Sequence, residues 1–215
     1  MNSIVTFPNR IPTTEFEERR FKVYTDRQLD KIEVIQNLPE ETLFEMKVVA
    51  SVLPFRVNEY VINELINWDK VPNDPIYQLV FPQKGMLKEE HYERMATMHR
   101  EGADKKEIQA VAKEIRDELN PHPAGQMEMN MPELDGEVLD GVQHKYRETV
   151  LFFPAQGQTC HSYCTFCFRW AQFVGDKDLK MASTEAEKLH GYLQEHTEVT
   201  DLLVTGGDPM VMKTK

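Results

Sequence analysis

Cys160, Cys164 and Cys167 stand in the pattern C-x3-C-x2-C, and they are all the cysteines the chain has. Three thiols on one short loop cannot all pair as disulfides, because one is always left over. They suit an iron–sulfur cube, in which each thiolate takes its own iron corner. Four irons with three protein ligands leave one iron open to a small molecule, and an open iron can do chemistry as well as store an electron. Two blander readings stand beside this one. Structural zinc asks for four Cys or His ligands, commonly in two separated pairs. The fourth would have to be a histidine, and His161 is directly beside Cys160, an awkward place from which to join the same tetrahedron. His144 and His190 remain, with nothing to mark them out. The third reading is three unrelated core cysteines, since free Cys is a common buried residue.

The loop needs elements to position it. Glu148-Thr149-Val150-Leu151-Phe152-Phe153-Pro154 runs straight into it and is nearly all apolar, the mark of a strand covered on both faces. Beyond the loop, Ser183-Thr184-Glu185-Ala186-Glu187 opens a helix to about His196, with Thr184 and Glu187 spaced as a capping box. Asp201 to Thr205 is a second apolar strand, ending in Gly206-Gly207-Asp208-Pro209. Strand, loop, helix, strand is a βαβ unit, which demands a parallel sheet. In such folds sites gather at the C-terminal ends of strands, where both loops belong. Gly206 and Gly207 allow a close backbone approach to a ligand, and Asp208 offers an acceptor. Alone, Gly-Gly-Asp-Pro would be an ordinary turn; following the cysteine loop, it favours a ligand contact.

Upstream, residues 1–119 read as a mainly helical region. The charged run Glu15 to Arg20 is a solvated face. Thr25-Asp26-Arg27-Gln28 reads as a capping box for a helix burying Leu29, Ile32, Ile35 and Leu38. Pro39 is placed in the first turn of a second helix, and Phe55 to Trp68 reads as a short third. Val71-Pro72-Asn73-Asp74-Pro75 is a turn. Helices over about 88–100 and 104–119, separated by Gly102, form a surface hairpin with His91 and His99 facing solvent. Residues 120–147 read as an irregular connector, and 148–215 as the first βαβ unit. The fold class is α/β: an N-terminal helical region followed by the start of a parallel barrel, truncated.

A chain of 215 residues with a formal net charge of −11 can bury a full core and presents an acidic surface, which argues against sequence-independent nucleic-acid binding. No apolar run suits a signal peptide or a membrane span, and three unpaired cysteines fit a reducing compartment. The expectation is a cytoplasmic protein.

With these residues in hand, the chain resembles the lysine 2,3-aminomutase family of radical S-adenosylmethionine enzymes. The cysteine spacing with Phe166 before the third cysteine carries the likeness, as do Phe55-Arg56-Val57, Pro72-Asn73-Asp74-Pro75-Ile76, Gly141-Val142-Gln143-His144-Lys145-Tyr146 and Leu203-Val204-Thr205-Gly206-Gly207-Asp208-Pro209. It covers roughly residues 40–212, with the hairpin near 85–119 longer than the family needs. The resemblance implies a 4Fe-4S cluster on Cys160, Cys164 and Cys167, S-adenosylmethionine held in part by Phe166, Gly206, Gly207 and Asp208, and Arg169 on the carboxylate of an amino-acid substrate. It also implies an external electron donor, a 5′-deoxyadenosyl radical that drives a 1,2-amino shift, and pyridoxal phosphate as second cofactor.

Three departures accompany the likeness. Phe168-Arg169-Trp170 replaces the arginine-rich string the family carries there, so the substrate can differ. The family barrel continues beyond the point where this chain ends at Lys215. The lysine for pyridoxal phosphate belongs to that later part, so the 215-residue chain is expected not to turn over alone. Two alternatives stay open: a non-catalytic cluster- or zinc-binding module, and a radical enzyme on the same scaffold acting on a different or protein-bound substrate. Self-association is also left open.

Overall fold

A computed structural model of the protein describes residues 21–120, 129–175 and 181–213; the charged run 15–20 lies outside them. The chain begins with strand β1, Val23–Thr25, and then two 3-10 turns, Asp26–Lys31 and Glu33–Asn37, where one helix was expected. The break falls at Ile32, whose backbone is extended, amid the β-branched Ile32, Val34 and Ile35, which fit a continuous helix less well. Leu29, Ile32 and Ile35 are nonetheless buried as their spacing predicts, and Gln28 accepts a hydrogen bond from the Thr25 N–H at 3.0 Å. Pro39 stands one residue before helix α1, Glu40–Val52, as its cap.

The segment expected as a short helix from Phe55 instead opens as strand β2, Arg56–Asn58, paired antiparallel with β1 so that Thr25 faces Arg56 and Val23 faces Asn58. Pro54 breaks helical continuity, and the Asn58 side chain accepts from the Val61 N–H at 2.9 Å, so helical structure begins only at Glu59 and continues as a π-type turn, Val61–Leu65. Helix α2, Pro75–Val80, follows the Asn-Asp-Pro turn. Its cap, Asp74, accepts from Tyr77 N–H at 2.8 Å and from Asn67 N–H at 3.1 Å.

Helices α3, Glu89–Glu101, and α4, Lys105–Leu119, form the expected hairpin. Gly102, with φ of +69°, supplies the left-handed residue that ends α3, and Asp104 with Glu107 closes a capping box on α4. The hairpin is packed, not merely superficial: Tyr92, Met95, Ala96, Ala112 and Ile115 bury against Val48, Val49 and Val52 of α1. That packing corrects the expectation for two histidines. His91 is buried, and the half-buried His99 sits with Nε2 3.2 Å from Ser51 Oγ.

The connector carries more order than its composition suggested. Strands β3, Glu133–Leu134, and β4, Glu137–Val138, form a hairpin whose two-residue turn, Asp135-Gly136, has positive φ at both positions, the geometry that matches strand twist. Strand β5, Val142–Tyr146, then pairs antiparallel with β6, Thr149–Phe152. Strand β7, Asp201–Val204, pairs parallel with β6, Thr149 facing Asp201 and Phe152 facing Val204. Between them runs α5, Ala186–Glu195, whose N-cap is Glu185, without a side-chain cap bond, and not Thr184 as expected; Ser183 Oγ accepts from the Glu185 N–H at 3.0 Å just ahead of the helix.

Leu139, Val142, Val150, Phe152, Leu189 and Tyr192 make one core on one face of this sheet. The sheet order is β5-β6-β7, so it is mixed, and coverage on both faces does not hold: along β7, Asp201, Leu202 and Leu203 are exposed. The fold is therefore mixed α/β with small sheets, and among the described residues no barrel closes. No helix of the described residues is long and apolar enough to cross a membrane.

Candidate functional site

The parallel pair β6/β7 sends two loops off the same end of the sheet, and the backbone stitches them together. Asp208 N–H donates to the Thr159 carbonyl at 2.7 Å. The Gln158 amide donates to the carbonyls of Pro154 (3.0 Å) and Thr205 (3.3 Å), one on each loop. Gly206, at φ +111°, and Gly207 are required by this contact: a Cβ on Gly206 would clash with the Gln158 side chain, and one on Gly207 with the carbonyls of Gly157 and Thr159. The missing side chains thus face the segment leading into Cys160. Asp208 accepts from Met210 N–H at 2.9 Å, capping the turn Pro209–Val211, and one carboxylate oxygen lies 3.9 Å from His161 Nε2.

The N-terminal region holds the other side of the cysteine loop. Tyr163 N–H donates to the Arg56 carbonyl at 2.8 Å, and Thr165 donates through N–H to Leu79 O and through its hydroxyl to Gln78 O, both at 2.8 Å. Asn58, almost fully buried, donates from its backbone and its side chain to Ser162 Oγ, each at 3.3 Å, and from its side chain to His161 O at 3.4 Å. β2 and the end of α2 thereby fix His161, Ser162, Tyr163 and Thr165, four of the six residues between the first and third cysteines. Sequence reasoning missed Arg56, Asn58 and Gln158; the available signal was a polar residue inside each of two otherwise apolar or turn-forming stretches.

Cys160 and Cys167 are half-buried and Cys164 is exposed. Burial pushes the Cys160 thiol up to about 11, with Cys167, Asp208 and Cys164 adding like charge and Arg56 opposing them. Burial, then Cys167, raises Cys164 as well. Burial and neighbouring thiols that discourage ionisation at Cys160 and Cys164 make a donor set that a cationic centre would relieve. Among the described residues no three His, Cys, Asp or Glu groups gather about a single ion position. A cube asks for wider spacing than one ion does, since each thiolate meets a different iron. Among the described residues no histidine joins the thiols about one ion position, as zinc would require. His144 bonds the Tyr192 hydroxyl at 2.6 Å, His190 is exposed on α5, and the His161 ring lies edge-on to Phe21. The residues present fit a thiolate-held cluster.

Arg169 follows Phe168 at the loop's exit. Its guanidinium lies over the Phe153 ring (4.4 Å to the centroid) and the Phe168 ring (5.1 Å), and among the described residues no carboxylate comes within ion-pair range of it. Burial lowers its pKa, while Cys167 opposes that shift. A planar cation held by stacking, with its donor fork uncommitted, is suited to a carboxylate. Phe166 and Phe168 are 77% and 82% exposed, so neither is part of the core; Tyr163 instead stacks on Phe173 at 4.4 Å and braces the loop from within.

Comparison with known proteins adds relatives. A protein of Aquifex aeolicus (strain VF5), provisionally named L-lysine 2,3-aminomutase, is 31% identical over 183 residues, 85% of this chain and 38% of its own length. The L-lysine 2,3-aminomutase of Bacillus subtilis (strain 168) is 22% identical over 189 residues, 88% of this chain and 32% of its own length. That of Methanococcus maripaludis is 29% identical over 87 residues, 40% of this chain and 19% of its own length. The chain spans less than two fifths of the length of these curated relatives. No family profile and no solved structure matches it.

Proposed function

Since the chain belongs to the lysine 2,3-aminomutase family, we propose that it is a radical S-adenosylmethionine protein whose 4Fe-4S cluster is held by Cys160, Cys164 and Cys167, and that it serves a 1,2-amino shift on an amino acid. The observation that carries this is the junction of the cysteine loop with the Gly206–Pro209 loop at the C-terminal end of β6/β7, where Asp208 N–H donates to Thr159 O at 2.7 Å. Cluster and S-adenosylmethionine together supply, when bound, the one-electron cleavage that yields a radical able to take hydrogen from an unactivated carbon.

The chain's own residues bind and orient. The three thiolates hold the cluster, and Asn58, Arg56 O, Gln78 O and Leu79 O hold the loop that presents them. Gly206 and Gly207 keep the second loop flush against residues 157–159, so that Asp208 keeps a fixed relation to Cys160 as an acceptor for S-adenosylmethionine. Phe166, exposed beside Cys167, lines that cofactor's side of the loop. Arg169 takes the substrate carboxylate with its fork, its plane set by Phe153 and Phe168. Pyridoxal phosphate belongs to the family chemistry, and no residue of this chain is assigned to it. The electron comes from an external donor.

The test is the spectrum of the reduced cluster. In protein reconstituted anaerobically with iron and sulfide and reduced with dithionite, added S-adenosylmethionine should change the electron paramagnetic resonance signal, and 5′-deoxyadenosine should form. A cluster signal indifferent to S-adenosylmethionine would make the chain a non-catalytic cluster-binding module.

A further inference from the structure

We propose that Arg56 is the fixed cation of the cysteine loop, its guanidinium balancing the negative charge of the thiolate-held cluster and so helping to set that cluster's reduction potential. The inference rests on the cluster reading above. Arg56 opens β2 between Phe55 and Val57, both buried, and its carbonyl accepts at 2.8 Å from the N–H of Tyr163, the residue before Cys164. The strand therefore delivers this side chain to the loop from a rigid, paired position opposite Thr25.

Its Nε is buried and has no hydrogen-bond partner among the described residues. A charged donor left in that state is costly unless something negative meets it. No carboxylate among the described residues comes within ion-pair range. Asn58, two residues on and therefore on the same face of β2, reaches His161 O at 3.4 Å and Ser162 Oγ at 3.3 Å with its side chain, so the Arg56 side chain leaves the strand on the side of the cysteine loop, next to Cys160. The other charges around the loop are the thiols of Cys164 and Cys167, the Asp208 carboxylate, and Arg169, which is coupled to Cys167. Arg56 is thus the cation on the Cys160 side. One electron from an external reductant adds one negative charge to the cluster, and a nearby, poorly screened cation stabilises the reduced form. Cluster potentials respond to net charge and to hydrogen bonds at the sulfurs.

The experiment compares wild type, Arg56→Gln and Arg56→Lys in the 215-residue protein, each reconstituted with iron and sulfide and titrated potentiometrically by electron paramagnetic resonance. Arg56→Gln should keep the wild-type iron and sulfide content while its potential moves to more negative values, and Arg56→Lys should lie nearer wild type. An unchanged potential in Arg56→Gln overturns the proposal. If Arg56→Gln fails to fold or to take up a cluster, Arg56→Lys decides: a lysine variant that assembles supports the role of charge, and one that also fails makes Arg56 a packing residue. Wild type that takes up no cluster at all would remove the underlying reading, an outcome distinct from wild type and Arg56→Gln sharing one potential.

Discussion

Stacking over Phe153 and Phe168 gives the Arg169 guanidinium a set plane, and a lysine there would keep the charge but lose both the fork and the stack. Arg169→Lys should spare cluster assembly and weaken binding of an amino-acid carboxylate by about 1.5–3 kcal/mol, the scale of a hydrogen bond to a charged group. Calorimetric titration checks this, and undiminished affinity would return Arg169 to a packing role. At Gly207 an added Cβ would meet the carbonyls of Gly157 and Thr159, neither of which can rotate away. Gly207→Ala should therefore cost about 1–3 kcal/mol in urea unfolding, as overpacking does. The thiols were legible in the sequence because their spacing is local. The reason for the glycines was not, because what they approach is a segment some fifty positions earlier, reached only through the parallel pairing of β6 and β7.

At the level of elements, the cysteine loop depends on β2 and α2, neither adjacent to it in sequence. Asn58→Ala would strip the Val61 N–H and the His161 carbonyl of their partner, a loss of about 1–3 kcal/mol for buried groups left unsatisfied. The variant should also surrender its iron to a chelator faster than wild type. Asp74 sets the start of α2, and hydrogen bonds from Tyr77 and then Asn67, against the opposing effect of burial, hold its carboxyl below the ordinary 3.8. Its contribution is therefore full above that ordinary value and fades as pH falls through the lowered one. Asp74→Asn, which keeps a capping oxygen, should remove that part of the acid-side loss in unfolding midpoint measured against pH. Buried positions such as Leu29, Ile32 and Ile35 were readable from their spacing. The strand at Arg56–Asn58 was not, because three residues are too few to show alternation and its partner β1 lies thirty positions away. The Asp135-Gly136 hairpin did carry its signal in the sequence, masked by the surrounding Met, Pro and Gly.

For the whole molecule, the open feature is β7, which among the described residues has a hydrogen-bonded neighbour on one side alone and exposes Leu202 and Leu203. An apolar edge of that kind invites pairing, so the protein should self-associate with rising concentration, and Leu203→Lys should lower that tendency in sedimentation velocity without changing the helical content. The α/β character and the parallel pair were legible because a βαβ order is written locally; the antiparallel β5 was not, its residues Gln143, His144 and Lys145 being polar enough to read as loop. The account as a whole stands on the three thiols as ligands of one cluster. Its most direct test is the metal and sulfide content of protein purified without oxygen and reconstituted, compared with Cys160→Ala, Cys164→Ala and Cys167→Ala. The account predicts about four irons and four sulfides per chain for wild type and loss of the cluster in each variant, whereas stoichiometric zinc with no bound sulfide would contradict it.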